Sequence, residues 1–160
     1  MKTISKLIKQ GEGLKVEFKA SLSDLERITE MVCSFANSKG GIILIGISDT
    51  GKIHGIDIGR QTVERLTNTI VDNLDPKIYP EIKSLKIDKK SIILIKVEES
   101  SDKPHLAYGK AFVRVGKNTK SMSRSEYERM LLKRRPRIFD GQICKGTTLK
   151  DIDYSNHKDV

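Results

Sequence analysis

Short apolar runs alternate along the chain with polar, glycine-punctuated segments, and the period of each run predicts its element. Residues Lys15–Lys19 alternate polar and apolar as a half-buried strand does, with Val16 and Phe18 on one face and Lys15, Glu17 and Lys19 on the other. Leu25, Ile28, Met31, Val32, Phe35 and Ala36 then recur at helical spacing. Ser23 is the expected N-cap of that helix, Glu26 completes a capping box, and Gly40-Gly41 closes it. Ile42–Ile47 is a nearly unbroken apolar run rich in branched residues, which predicts a strand buried on both faces. Ser48–Gly51 reads as a turn and Lys52–Ile56 as the returning strand of a hairpin. A second helix is predicted from Gln61 to Leu74, with Val63, Leu66, Ile70 and Val71 on its apolar face, halted by Asp75-Pro76. Pro80–Ile87 and Ser91–Glu98 read as strands joined through Asp88-Lys89-Lys90, and Ala111–Gly116 as another. Ser123–Arg135 is the third helix, capped by Ser123 with Glu126 at the capping-box position.

The resulting order, β-α-β-β-α-β-β-β-α, predicts an α+β fold, a mixed β-sheet packed with about three helices on one side. Residues 1–11 form a lead-in, helical around Lys6–Lys9, and residues 12–137 the domain. The pattern fades over residues 138–160, a tail or the start of a following segment. A length of 160 residues fits one such domain with a real core. No apolar run approaches the roughly 20 residues of a transmembrane helix, and the first residues lack the apolar stretch of a signal peptide. The two cysteines, Cys33 and Cys144, are too few for a disulfide framework. The cytoplasm is the expected compartment.

Charge changes the picture from a generic domain to a candidate polyanion binder. The net charge is +9. Residues 103–137 hold eleven bases and two acids, Glu126 and Glu128, so this segment alone accounts for the whole surplus. A basic segment in an otherwise balanced chain is the footprint expected of a phosphate-backbone binder. Lys110, Arg114, Lys117, Lys120, Arg124, Lys133, Arg134 and Arg135 are the expected nucleic-acid contacts. A membrane partner is not expected, because no strongly amphipathic apolar face accompanies the cluster. Tyr108 and Tyr127 lie among these bases with stacking faces, while core packing accounts for Phe112.

Candidate chemistry centres on Glu17-Phe18-Lys19. The spacing puts a carboxylate and an ammonium on one strand face, the arrangement in which a nuclease holds a divalent metal and offsets phosphate charge. Glu12 lies five residues upstream, so an unbroken strand aims it at the opposite face, and Gly11 and Gly13 permit a bend that returns it. Asp49 leaves the end of the central strand. Three oxygen ligands would suit Mg²⁺ or Mn²⁺. Against this, Glu17 and Lys19 match any solvated strand face, and Asp49 is an ordinary turn residue. His54, His105 and His157 are scattered and read as solvated, and no His/Cys spacing suits zinc. Cys33 reads as core. The glycines form no phosphate-binding signature, so no nucleotide cofactor is expected.

Four ordered motifs carry a resemblance. Glu12 with Val16-Glu17-Phe18-Lys19, the segment Ser34–Gly41, Ile45–Asp49 with Gly51, Ile53 and Gly55, and Lys103-Pro104 with Phe112–Gly116 and Thr119 together resemble the Schlafen AlbA-type domain. The resemblance runs from about Glu12 to Leu132 and implies a mixed α/β domain that binds nucleic acid, RNA or DNA. In nuclease members of that family three acids form a metal-dependent endoribonuclease site acting on tRNA and rRNA. Matched residue by residue, these are Glu12, Glu17 and Asp49; if the three converge, Lys19, on the face of Glu17, would sit near the scissile phosphate. Those members usually follow the first Glu with Ser, where this chain has Gly13. The zinc ligands of animal Schlafens have no counterpart. Those proteins join two lobes into a groove, so this single lobe is expected to pair as a homodimer. Two functions follow, a binding module and a metal-dependent endoribonuclease.

Overall fold

The apolar run after Gly40 organises the molecule. In the structure, a computed structural model that describes residues 2–134, it becomes β2 (Gly41–Ile45), whose Ile43, Leu44 and Ile45 have no exposed surface. β2 pairs in parallel with β1 (Val16–Lys19) in the register Val16↔Ile42 to Lys19↔Ile45. Its other edge pairs antiparallel with β5 (Lys90–Val97), which pairs with β4 (Glu81–Ile87), giving a mixed sheet of order β1-β2-β5-β4. A strand buried on both faces needs apolar cover on both. α2 (Leu25–Asn37) covers the face of Ile43, Ile45, Ile93 and Ile95, and α1 (Lys2–Gln10) covers the other, placing Ile4, Leu7 and Ile8 against Phe18, Leu44, Ile47 and Ile92. Helices on one side only was the expectation, and α1 corrects it. The lead-in is a full helix because Ile4, Leu7 and Ile8 share one helical face.

A second antiparallel sheet, β3-β6-β7-β8, packs on the other side of α2. It comprises β3 (Leu74–Asp75), β6 (Leu106–Ala107), β7 (Lys110–Val115) and β8 (Asn118–Ser121). α3 (Thr62–Asp72) lies along α2 through Leu66 and Ile70, and α4 (Arg124–Arg134) follows β8. The mixed α+β architecture is as expected from the sequence, with four helices and two sheets among the described residues. The tail and Arg135, Cys144 and His157 lie outside those residues.

Three local expectations are corrected. Lys52–Ile56 does not extend a hairpin. A single bridge joins Ile47 and Ile53, after which the His54 and Gly55 amides both donate to the Gly46 carbonyl at 2.9 Å. Gly46 and Gly55 both have positive φ, which ends the ladder. Asp24, not Ser23, caps α2, accepting the Arg27 amide at 2.9 Å, while Ser23 bonds to Ser21. His105 is buried rather than solvated, with ring nitrogens 2.7 Å from the Pro76 carbonyl and 2.6 Å from Ser100 Oγ.

Candidate nucleic-acid interface

The residues singled out by the motifs divide into an interior knot and an exposed rim. The knot starts from the end of α2. Phe35 lies under the start of β2, where any Cβ on Gly41 would collide with its ring. Gly40 has φ +68°, and a Cβ there would stand 2.7 Å from the Val97 carbonyl oxygen, so glycine alone fits the turn. Asn37 ties α2 to the second sheet. Its Oδ1 accepts the His105 amide at 2.7 Å, and its Nδ2 donates to the His105 and Phe112 carbonyls at 2.9 Å each. Ser38 Oγ accepts the Arg114 amide at 3.0 Å. Beside Asn37, burial pushes the Cys33 thiol up to about 11, and its Sγ donates to the His105 carbonyl.

Arg114 closes the knot. Its guanidinium stands 4.9 Å from the Phe35 ring centroid, donates to the Gly13 carbonyl at 2.8 Å and to Thr119 Oγ1 at 3.3 Å, and meets Glu17 Oε2 at 2.5 Å. Lys19 Nζ takes the other Glu17 oxygen at 3.2 Å. Glu17 is only 6% exposed, and each of its oxygens already faces a cation. The strand face that carries it is therefore an internal seam rather than a solvated one. Such a pair is costly to break, since without Glu17 the Arg114 guanidinium would be a buried uncompensated charge.

Glu12 does return toward β1, as the bend at Gly11 and Gly13 permits. Its Oε1 accepts the Phe18 amide at 3.3 Å. That amide lies on the strand edge away from β2, so Glu12 caps an open sheet edge that would otherwise be free to pair with another strand. Asp49 is exposed in the Ser48–Gly51 turn, closed by the Gly51 amide donating to the Ser48 carbonyl at 2.8 Å. Among the described residues no three Asp, Glu, His or Cys side chains are grouped to hold a metal ion. The donor set does not fit Mg²⁺ or Mn²⁺: Glu17 is neutralised internally, Glu12 serves a backbone amide, and Asp49 stands in a solvated turn.

The rim is different. Lys110, Lys117 and Lys120 project from the β7–β8 hairpin, exposed and without an ion pair among the described residues. Lys133 is exposed on α4. With Arg129, Glu126 and Lys103 it lines a groove that also holds Val113, Met122 and Met130. Arg124 is exposed but bonded to Glu128 at 2.8 Å, and Arg134 is the last residue of α4. Arg114 departs from the surface role its position in the basic segment suggests. β7 alternates, and Arg114 falls with Phe112 on the inward face toward α2. Tyr108 is exposed at the β6–β7 turn, Tyr127 is half-buried, and Phe112 is core, as expected.

The chain belongs to the Schlafen AlbA_2 family, whose model matches residues 12–123. The match begins at the edge-capping Glu12 and ends at Ser123, so it contains the whole knot. Among solved structures the fold is similar to the DIP2311 protein of Corynebacterium diphtheriae, with a TM-score of 0.60 and 20% identity. That match covers 71% of this chain and 23% of that one. It is also similar to the N-terminal domain of the ATP-dependent DNA helicase RecG-related protein of Nitrosomonas europaea, with a TM-score of 0.53 and 24% identity over 74% of this chain and 90% of that one. No helix among the described residues is long and apolar enough to cross a membrane.

Proposed function

We propose that the chain is a nucleic-acid-binding module directed at folded RNA such as tRNA, with the β7–β8 hairpin and α4 as its phosphate-contacting surface. The observation that carries this reading is the split of one basic segment into two populations. Arg114 is consumed inside the fold, whereas Lys110, Lys117 and Lys120 stand exposed without carboxylate partners among the described residues. Unpaired lysines on a hairpin release counterions when they meet phosphates, which drives sequence-independent binding. Membership in the Schlafen AlbA_2 family supports a nucleic-acid partner, and the structural neighbour named for a DNA helicase agrees with it. The carboxylates hold the fold together, and the module binds without cutting.

The test is tRNA binding by fluorescence anisotropy over a salt series, with a duplex DNA arm and parallel incubations in Mn²⁺ with and without EDTA. The expected result is binding whose affinity falls about tenfold or more between low and physiological salt, tighter for tRNA than for DNA, with the RNA intact. Lys117→Glu with Lys120→Glu should weaken binding to both. Cleavage that needs Mn²⁺ and stops with EDTA would replace the module with an endoribonuclease. A flat salt dependence would remove the phosphate surface.

A further inference from the structure

A second basic surface lies at the far end of the first sheet, where the linear charge count finds none. Outside residues 103–137 the chain carries equal numbers of bases and acids. In space they do not cancel evenly. Toward one end of the first sheet the lysines are paired: Lys83 with Glu81, Lys96 with Glu98, and both Lys39 and Lys103 with Glu99. At the other end three segments meet. The tip of the β4–β5 hairpin carries Lys86, Lys89 and Lys90, the 51–56 segment carries Lys52, and α1 carries Lys6 and Lys9. Lys90 Nζ donates to the Ile53 carbonyl and the Ile56 amide to the Ser91 carbonyl, each at 2.8 Å, which binds the hairpin tip to the 51–56 segment. A Cβ on Gly51 would stand 3.5 Å from Ile8, so α1 abuts the same segment. All six lysines are exposed, and none has an ion pair among the described residues. The acids of the same turns are Asp49 and Asp88, both exposed.

The hairpin tip supplies an independent observation. Asp88 and Lys89 have φ of 48° and 65° between the paired residues Ile87 and Lys90, a two-residue turn in which both central residues are left-handed. Such turns favour glycine at the second position. The neighbouring β6–β7 turn obeys this, with Tyr108 at 49° followed by Gly109 at 76°. The β4–β5 tip instead holds a lysine in a conformation that L side chains rarely adopt. A strained residue kept at an exposed tip points to a role for its side chain.

We infer that the surface formed by Lys6, Lys9, Lys52, Lys86, Lys89 and Lys90 is a second nucleic-acid backbone contact. This deepens the proposed function and rests on it. Arg114 anchors the β7–β8 hairpin at the Gly13 and Val16 end of the first sheet, and the Lys89 tip is at the opposite end. From the level of Lys96, which shares the register of Val16 and Ile42, to Lys89 is roughly 24 Å at a strand rise of about 3.4 Å per residue. A ligand that engages both surfaces must extend along the first sheet, as a folded RNA does.

The experiment uses the full chain and tRNA, with the salt dependence of affinity measured for three proteins beside the unaltered one. Lys52→Glu/Lys86→Glu/Lys89→Glu should weaken affinity about tenfold or more and flatten the salt slope, by about 0.7–0.9 for each phosphate that is no longer neutralised. Lys89→Gly should bind more weakly while melting at or above the temperature of the unaltered protein, because glycine relieves the turn as the charge is removed. Lys117→Glu/Lys120→Glu serves as the control on the first surface. If the control weakens binding while the triple and Lys89→Gly variants bind unchanged, the second surface is overturned and the proposed function stands. If no variant differs from the unaltered protein, or tRNA does not bind at all, both fall.

Discussion

Two charged regions of this molecule, the knot around Arg114 and the tip of the β7–β8 hairpin, lie a few residues apart in sequence and behave oppositely. Arg114 and Lys117 belong to the same basic segment. Arg114 is 6% exposed and spends its guanidinium on Glu17, Gly13, Thr119 and the Phe35 ring. Lys117 is exposed and unpaired among the described residues. The difference follows from strand parity and reach. Arg114 falls on the inward face of β7 opposite Thr119, while Lys117 sits in the turn beyond the Val115↔Asn118 pair. A count of positive charge therefore mixes two populations, cations spent inside the fold and cations left at the surface, and each can be perturbed without the other.

The largest expected effect comes from breaking the knot. Glu17→Gln leaves Arg114 buried without its counter-charge and should destabilise the fold by about 3 kcal/mol, read as a lower midpoint in urea unfolding. A carboxylate held for a metal predicts the reverse, because removing one of several clustered negative charges relieves repulsion. A double-mutant cycle with Arg114→Met should show non-additivity of about 1–3 kcal/mol.

Asn37→Ala is next. It strips the partner from the His105 amide and from the Phe112 carbonyl, and leaves the His105 carbonyl with Cys33 Sγ alone; each unmet buried group costs about 1–3 kcal/mol. The expected loss is comparable to that of Glu17→Gln, and hydrogen exchange should place it at the seam between α2 and the second sheet. The same seam shields Cys33, whose thiol is pushed up to about 11 by burial. Alkylation at neutral pH should leave Cys33 unmodified in the native protein and reach it in Asn37→Ala.

On the rim, Lys117→Glu with Lys120→Glu should change stability by no more than about 0.5 kcal/mol while weakening tRNA binding. A large fall in stability would mean that these lysines belong to the fold after all, and the contrast between the two regions would collapse.

The smallest effect concerns the start of α4. The Ser123 amide, donating to Glu126 at 2.7 Å, and the Ser123 hydroxyl at 2.9 Å hold the Glu126 carboxyl below the ordinary carboxylate range. A carboxyl whose folded value is depressed stabilises the helix end above its unfolded value and loses that contribution as pH falls through the folded one. The amide resonances of the first turn of α4 should therefore shift below about pH 4.3, and Glu126→Gln should abolish that titration.

Much of this was legible in the residues. The helical spacing of Leu25 to Ala36, the doubly buried run at 42–47, the glycine stop at Gly40-Gly41 and the Ser123–Glu126 box each rest on interactions within a few residues, which the chain specifies wherever it folds. The motifs that mark the family were equally visible, because they are local strings. Their roles were not. Nothing in the string shows that Asn37 reaches His105 across 68 positions or that Arg114 reaches Glu17 across 97. The histidine expected in solvent is a buried strut, the carboxylates matched to a metal site serve an edge amide, two cations and a turn, and the six lysines at the far end of the first sheet vanish in a balanced count. The sequence by itself determined α2, α3 and α4, the strands of the first sheet and β7, and how much charge the chain carries, since periodicity and composition are properties of the string. Only the tertiary structure decided which charges face each other, because pairing depends on distances between segments that the fold alone brings together, and that pairing separates the cations that hold this protein together from those left exposed at its surface.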